Sequence, residues 1–560
     1  MSMYALTLSA ARLLAVSAAL MFASPSALHA QTTFTDVAPI ADGYFDTDAE
    51  TDFWMAAMAP ADFDGDGDQD LAVFGFFVIY NVSVEYRLAI LRNDGVGPEG
   101  RWLFVPVPLP LGDLYSGESD LAWGDYDGDG DYDLVVGSER MTRLYRNDAG
   151  QFVDSQVALP GYNEGQDSGG YDLRSITWAD YDNDGDQDLF LPTTDTATPG
   201  QLDSILLRND GTNAGGNWQF AEVRNGLGGG RNMQTAWIDD DNDGDLDLLT
   251  ANSDNLFDSG FIRRYRNDPG GFVGADMLDV SINIGLADWG DIDADGRTDI
   301  LVAGNVLDSN GSYSTVVRIH RQRADGGYDI THAAEPALPW LDVHAANWAD
   351  FDSDGDVDLL VTGSIVGKGE IIGRSLVYLN DGAGNFTPLG IDLPAPQSSI
   401  GRGGAFTWFD LDGDGDLDYF VAGAYPVLNG NGLVEARIQL FRNDTINTNL
   451  APSAPPQPDA VLVNGALELS WLPASDDHSP PSSLTYEVAV RRVGAAVTEV
   501  ERLPQPGAQG DATRWTLHGL PPGDYLWNVQ AIDSAWNSGP KSTGSFSIVD
   551  PGILFANGFE

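Results

Sequence analysis

Apolar residues in this 560-residue chain fall in short runs separated by turns rich in Asp, Gly and Asn. One run, Leu13 to Phe22, lies near the N-terminus. No later stretch approaches 18 uninterrupted apolar residues, so no membrane insertion is expected. Residues 121–160 show the plan. An apolar stretch ends at Trp123, the acidic segment DYDGDGDYD follows at 125–133, and LVVGS leaves it as a run suited to a buried strand. A third strand ends in LYRND, Gly150 marks a turn, and QFVDS begins a fourth. Four antiparallel strands in this order make one propeller blade.

The plan recurs. Acidic segments start at Asp62, Asp125, Asp180, Asp239, Asp291, Asp350 and Asp410, spaced 52 to 63 residues apart, a period that points to a repeat architecture. Trp178, Trp237, Trp289, Trp348 and Trp408 hold the place of Trp123, and Pro60 stands there in the first copy. Packing between blades is the reading of that series. LRND at 91–94 and 207–210, YRND at 265–268, YLND at 378–381 and FRND at 441–444 repeat the turn after the third strand, and in the fifth copy it has become HRQRADGG. These are read as hairpin turns. No fourth strand follows residue 444, yet TTFTDV at 32–37 looks like the fourth strands QFVDS and NFTPL. Phe34 to Val37 is therefore predicted to complete the last blade and remove an open sheet edge. The fold class predicted is all-β, a seven-bladed β-propeller over 31–446 followed by a small β-sandwich.

Each acidic segment follows D-x-D-x-D-G-x-x-D, with Asp at positions 1, 3, 5 and 9 and Gly at 6 in all seven copies. Position 4 varies among Gly, Asn, Ala and Ser. A calcium loop predicts this split: side-chain oxygens come from positions 1, 3, 5 and 9, the backbone carbonyl from position 7, and Gly makes the sharp turn. The candidate metal residues are Asp62, Asp64, Asp66, Asp68 and Asp70; Asp125, Asp127, Asp129, Asp131 and Asp133; and Asp180, Asp182, Asp184, Asp186 and Asp188. The series continues with Asp239, Asp241, Asp243, Asp245 and Asp247; Asp291, Asp293, Asp295, Arg297 and Asp299; Asp350, Asp352, Asp354, Asp356 and Asp358; and Asp410, Asp412, Asp414, Asp416 and Asp418. Arg297 is read as harmless, because position 7 offers only its carbonyl. Two carboxylates about 4 Å apart repel by roughly 4 kcal/mol at an effective dielectric near 20. The crowding is tolerable only around a cation, and about seven calcium ions are expected as cofactor. Solvated acidic turns are the alternative. An EF-hand is disfavoured because Val73 and Val136 stand where its terminal Glu would be, and a nonapeptide calcium roll has too short a period.

The formal charge of −57 and pI near 4.1 argue against nucleic acid and anionic membranes as partners. The chain has no cysteine, hence no disulfide staple and no thiolate zinc site. Residues 1–30, with Arg12 ahead of the apolar run and small residues up to Ala30, read as a secretory signal peptide; Leu28 leaves the cut site loosely specified.

The seven copies resemble the FG-GAP, or VCBS-type, repeats of bacterial exported proteins and of the integrin alpha-subunit head. The likeness is carried by the calcium loops and is faint in the Phe-Gly and Gly-Ala-Pro elements, seen in fragments such as GAYP at 423–426. It implies a propeller with calcium loops between first and second strands on one face and ligands on the other. By that implication the connections at 193–204, 251–260, 304–314, 363–374 and 425–436, which carry Tyr313 and Tyr425, lie on the ligand face.

Pro452, Pro455, Pro456 and Pro458 mark a linker at 447–458. From 459 to 548 the runs LELSW, LTYEVAV and LPPGDYLWNVQAID resemble a fibronectin type III sandwich, with Trp471 in its core and Tyr525 near the tyrosine corner. Residues 549–560, ending ILFANGFE, look like a tail found on some exported proteobacterial proteins. The localisation expected is secreted or cell-surface, in the periplasm or on the outer surface of a Gram-negative bacterium.

No HExxH, nucleophile elbow or Walker loop is present, and His320, His332, His344, His478 and His518 read as packing or surface residues. No catalytic residue is assigned. The function expected is a monomeric binding or adhesion module for a protein or glycan ligand. A calcium-dependent polysaccharide lyase or hydrolase and a structural envelope component are the alternatives.

Overall fold

The computed structural model describes residues 34–37 and, between 51 and 549, all but connecting segments at 80–82, 99, 111–118, 139–141, 160–174, 193–203, 224–225, 229–230, 241–244, 254–259, 269–270, 280–281, 308–312, 330–341, 368–369, 395–404, 427–433, 446–448, 464–465, 494–511, 518–519 and 521. Residues 1–30, read above as a signal peptide, residues 550–560 of the C-terminal tail and most of the connections assigned to the ligand face lie outside the described residues. Among those described, every regular element is a strand, and no helix is long and apolar enough to cross a membrane.

The strands form antiparallel sheets in chain order, named A to G here. Sheet A comprises Thr51–Ala61, Asp70–Ile79, Ser83–Val96 and Trp102–Pro108; sheet B comprises Ser119–Gly124, Asp133–Ser138, Thr142–Asp148 and Gln151–Asp154. In the same order, sheet C comprises Thr177–Ala179, Asp188–Leu191, Ile205–Thr212 and Trp218–Val223, sheet D Arg231–Ile238, Asp247–Ser253, Gly260–Asp268 and Gly271–Asp279, and sheet F Asp342–Ala349, Asp358–Gly367, Glu370–Leu379 and Thr387–Pro394; E has three strands, Asn283–Gly290, Asp299–Leu307 and Tyr313–His320. Sheet G takes Ala405–Phe409, Asp418–Pro426 and Val434–Asn443 from one end of the chain and Phe34–Asp36 from the other, with Phe34 opposite Asn443. This pairing covers the sheet edge and joins the two ends of the repeat region.

Between sheets the core runs unbroken around a ring. Phe74 of A packs with Trp123 and Tyr145 of B. Val135 of B meets Leu189 of C, and Phe190 of C meets Leu248 of D. Ile262 of D meets Ile300 of E, Leu301 of E meets Trp348 of F, and Phe351 of F meets Trp408 of G. Phe420 of G closes on Leu71 and Phe104 of A. The tryptophans before the loops are thus inter-sheet packing residues. The ring N–H of Trp123 donates to the Ala59 carbonyl of the preceding sheet at 2.9 Å.

Each acidic loop joins the first and second strands of its sheet, and position 9 is the first residue of the second strand. Local backbone geometry explains which positions vary. Position 6 has φ from 80° to 100° in the six described copies, a region open only to glycine. Position 4 lies at 53° to 72° and holds Gly65, Gly128, Asn183, Ala294, Ser353 or Gly413, residues whose small side chains fit a left-handed turn.

Residues 459–548 make two three-stranded sheets, Asp459–Val463, Ala466–Ser470 and Arg514–Leu517 against Thr485–Arg492, Gly523–Ile532 and Ser542–Ile548. Trp471, Tyr486 and Trp527 fill the space between them. The Pro-rich stretch lies along this sandwich. Ser453 N donates to the Ser475 carbonyl and Leu472 N to the Pro456 carbonyl, both at 2.8 Å, and Ser542 Oγ donates to the Pro455 carbonyl at 2.6 Å.

Candidate metal loops

Position 1 organises each loop. Asp62 Oδ1 accepts from the backbone N–H of Gly65 and Asp66, and its Oδ2 from Gly67 at 3.0 Å. Asp125, Asp180, Asp291, Asp350 and Asp410 make the same bonds to positions 5 and 6. Position 5 accepts from the N–H of position 7, as Asp129 does from Asp131 at 3.1 Å. The carboxylates therefore wind their own loop around themselves.

Position 9 ties the loop to the sheet. Asp133 Oδ2 accepts from Tyr126 N at 3.1 Å, and its Oδ1 from Asn147 N at 2.8 Å. Asp70, Asp188, Asp299, Asp358 and Asp418 repeat both bonds, and Asp247 repeats the second with Asn267. Burial pushes Asp70 up to about 8, Asp133 to about 9 and Asp188 to about 10, with neighbouring carboxylates adding to it. Protons would have to occupy these oxygens at neutral pH unless a cation does.

Carboxylate oxygens able to share one ion come together at positions 1, 3 and 5 in loops 62–70 and 291–299, and at 1, 3 and 9 in loops 125–133, 180–188 and 350–358. Position 7 is absent from these five groups. Asp131 instead accepts from Ala149 N at 2.7 Å. At position 3, Asp127 Oδ1, Asp182 Oδ1 and Asp293 Oδ1 are buried with no hydrogen-bond partner. A hard cation taking carboxylate oxygens supplies what those atoms lack, so the residues present fit calcium. In the fourth loop Asp241, Asp243 and Gly244 lie outside the described residues, while Asp239 and Asp247 are buried, Asp247 as position 9 is in each of the other loops.

Two features depart from the sequence reading. Arg297 is not a bystander: its guanidinium pairs with Asp295, a ligand position of its own loop, and donates to the Gln322 carbonyl at 3.0 Å. Arg323 replaces the Asp of the RND turn there, and Arg321 turns to Asp293 at 3.1 Å. The Asn of that turn, in turn, does more than shape a hairpin. The side-chain amide of Asn147 donates to the Phe63 carbonyl, at position 2 of the preceding loop, at 2.9 Å. Asn209, Asn267, Asn380 and Asn443 reach Tyr126, Tyr181, Ile292 and Phe351 in the same way. Gln322, which replaces Asn in sheet E, bonds the side chain of Asp240, again position 2 of the preceding loop, at 2.8 Å. The recurrence of Asn at a fixed place was the signal in the sequence; its partner was not.

Residues 125–191, 291–361 and 350–421 match the FG-GAP-like repeat. The chain is a β-propeller repeat protein, FG-GAP-like over these three segments. Each FG-GAP-like match begins on the position 1 Asp of one loop and ends in the second strand beyond the next, so it spans the seam between two sheets. No curated protein matches the chain. Among solved structures, an Agrocybe aegerita lectin that recognises non-reducing terminal N-acetylglucosamine is 17% identical with a TM-score of 0.36, over 72% of this chain and 92% of that one. The Dos1 propeller is 11% identical with a TM-score of 0.35, over 77% and 91%. The rhamnogalacturonan lyase YesW is 12% identical with a TM-score of 0.28, over 86% and 92%.

Proposed function

We propose that this protein is an exported, seven-bladed, calcium-binding propeller with a C-terminal fibronectin type III-like sandwich, acting as a binding or adhesion module for a protein or glycan ligand. Calcium is structural in this reading, and positions 1, 3, 5 and 9 of the loops hold it. The observation that carries the reading is the set of buried position 3 oxygens of Asp127, Asp182 and Asp293 that have no hydrogen-bond partner, each beside a position 1 carboxylate. A propeller without disulfides gains from such ions what a secreted domain otherwise gains from covalent staples. No catalytic residue is assigned: the imidazole of buried His320 sits against the Asp329 carbonyl at 3.2 Å, and His478 lies beside Asp477 at 3.1 Å.

The test is thermal unfolding of the chain from residue 31 onward, with millimolar calcium and with chelator, alongside metal content. A large fall in Tm on chelation together with several bound calcium ions supports the reading. Absence of bound calcium and of any shift overturns it. A glycan array and a protein-ligand screen then address the binding role, and an assay for polysaccharide cleavage addresses the lyase alternative.

A further inference from the structure

We propose that calcium in loops 350–358 and 410–418 holds the C-terminal sandwich onto the loop face of the propeller, so that calcium occupancy decides whether the two modules stay docked. The inference rests on the calcium reading above. Asp350, position 1 of its loop, receives a hydrogen bond at Oδ2 from Ser534 Oγ at 2.8 Å, and its backbone N–H donates to the Ser534 carbonyl at 3.3 Å. Asn537 Nδ2 donates to the Gly415 carbonyl of the next loop at 2.8 Å. The fit is close at both position 6 glycines: a Cβ on Gly355 would lie 2.2 Å from the His478 carbonyl oxygen, and one on Gly415 would lie 2.5 Å from the Asn449 carbonyl oxygen. At Gly67, in a loop on the same face, a Cβ would meet nothing within 4 Å.

Charge makes this contact conditional. Asp350, Asp352 and Asp358 are fully buried in the docked arrangement. The sandwich turns that approach them are themselves acidic, with Asp476 and Asp477 beside His478, and Asp533 beside Ser534. Asp533 is 2% exposed and is held by the side chains of Asn449 and Asn537. Two acidic surfaces brought together out of water repel strongly unless a cation lies between their charges. Divalent ions in the two loops supply that charge, so removing them costs the docked state more than the open one.

The chain has no cysteine, so Val153→Cys in sheet B and Leu462→Cys in the sandwich, at residues 43% and 65% exposed, give one unambiguous spin-label pair. Double electron–electron resonance on the otherwise full chain should show one narrow distance with calcium and a longer, broad distribution after chelation. With calcium present, Asp352→Asn should broaden the distribution. Asp127→Asn, in a loop of sheet B, should lose one ion and leave the distance narrow. Ser534→Ala alters no ligand position and should raise the calcium concentration needed for docking while the number of bound ions stays the same. An unchanged distance after metal analysis shows the ions gone, or release by Asp127→Asn equal to that by Asp352→Asn, overturns the coupling and leaves the calcium reading standing. A chain with no bound metal in calcium overturns both.

Discussion

The side-chain amide of Asn93 donates to the backbone carbonyl of Leu411 at 3.3 Å, across 318 positions of sequence. It is the same bond that Asn147 makes to Phe63, but here it joins sheet A to sheet G and shuts the ring. Asn93 Oδ1 also accepts from Trp102 Nε1 at 2.7 Å and from Gly95 N at 3.0 Å, so one buried amide serves four partners when the Gln69 carbonyl is included. Asn93→Ala leaves those groups unsatisfied and is expected to cost about 1–3 kcal/mol for each buried group left without a partner. Denaturant unfolding should show the loss, and Asn147→Ala, within the ring, should cost a comparable amount.

Calcium should stabilise the propeller additively. At calcium about tenfold above the dissociation constant, each independent site contributes roughly 1.4 kcal/mol. Asp127→Asn should therefore lower Tm in calcium and do so far less in chelator. Equal losses in both would show that Asp127 acts through packing alone.

The chelated protein should have an inverted pH response. Asp70, Asp133 and Asp188 are raised by burial from 3.8 to about 8, 9 and 10. A carboxyl whose folded value lies above its unfolded one keeps its full stabilising contribution below the unfolded value and loses it as pH rises through the folded value. Without calcium, Tm is therefore expected to fall as pH rises from about 4 toward 10. Calcium favours the charged form and should flatten or reverse that slope, which scanning calorimetry at several pH values reads directly.

Loop 291–299 should be the weakest site. Arg297 and Arg321 already neutralise Asp295 and Asp293, so an incoming ion must displace two guanidinium groups. Isothermal titration should resolve one class of sites weaker than the rest, and Arg297→Asp, restoring the residue found at position 7 of the other six loops, should strengthen it.

Position 6 should tolerate substitution unequally. Gly67→Ala and Gly355→Ala both place a side chain at φ near 95–99°, a strain of about 1–3 kcal/mol. Only at Gly355 does the new Cβ also overlap the His478 carbonyl. Gly355→Ala should therefore cost more in the intact chain, as a difference in Tm, and a chain lacking the difference would show that the contact yields.

Much of the propeller is legible in one dimension because its repeats are local. Each loop, its glycine and the strand that follows lie within a few residues, and the geometry of positions 4 and 6 depends on backbone sterics that composition reveals. The strand formed by Phe34–Asp36 was legible too, since the last copy visibly lacks a piece that the N-terminus resembles. The latch from Asn to the preceding loop was not, because a recurring Asn looks the same whether it shapes its own turn or reaches a neighbour. Arg297 shows the same limit: the residue type was visible, and its partner Asp295 was not.

By itself, then, the sequence determined the repeat, the acidic loops and the strand order, all set by side-chain alternation and turn sterics over short distances. Only the tertiary structure decided which carboxylate oxygens lie buried without a partner, how Asn93 closes the ring on Leu411, and that the sandwich rests on Asp350 and Gly415. Those relationships join residues tens to hundreds of positions apart, and their energies depend on burial and on the exclusion of water, which no local pattern encodes.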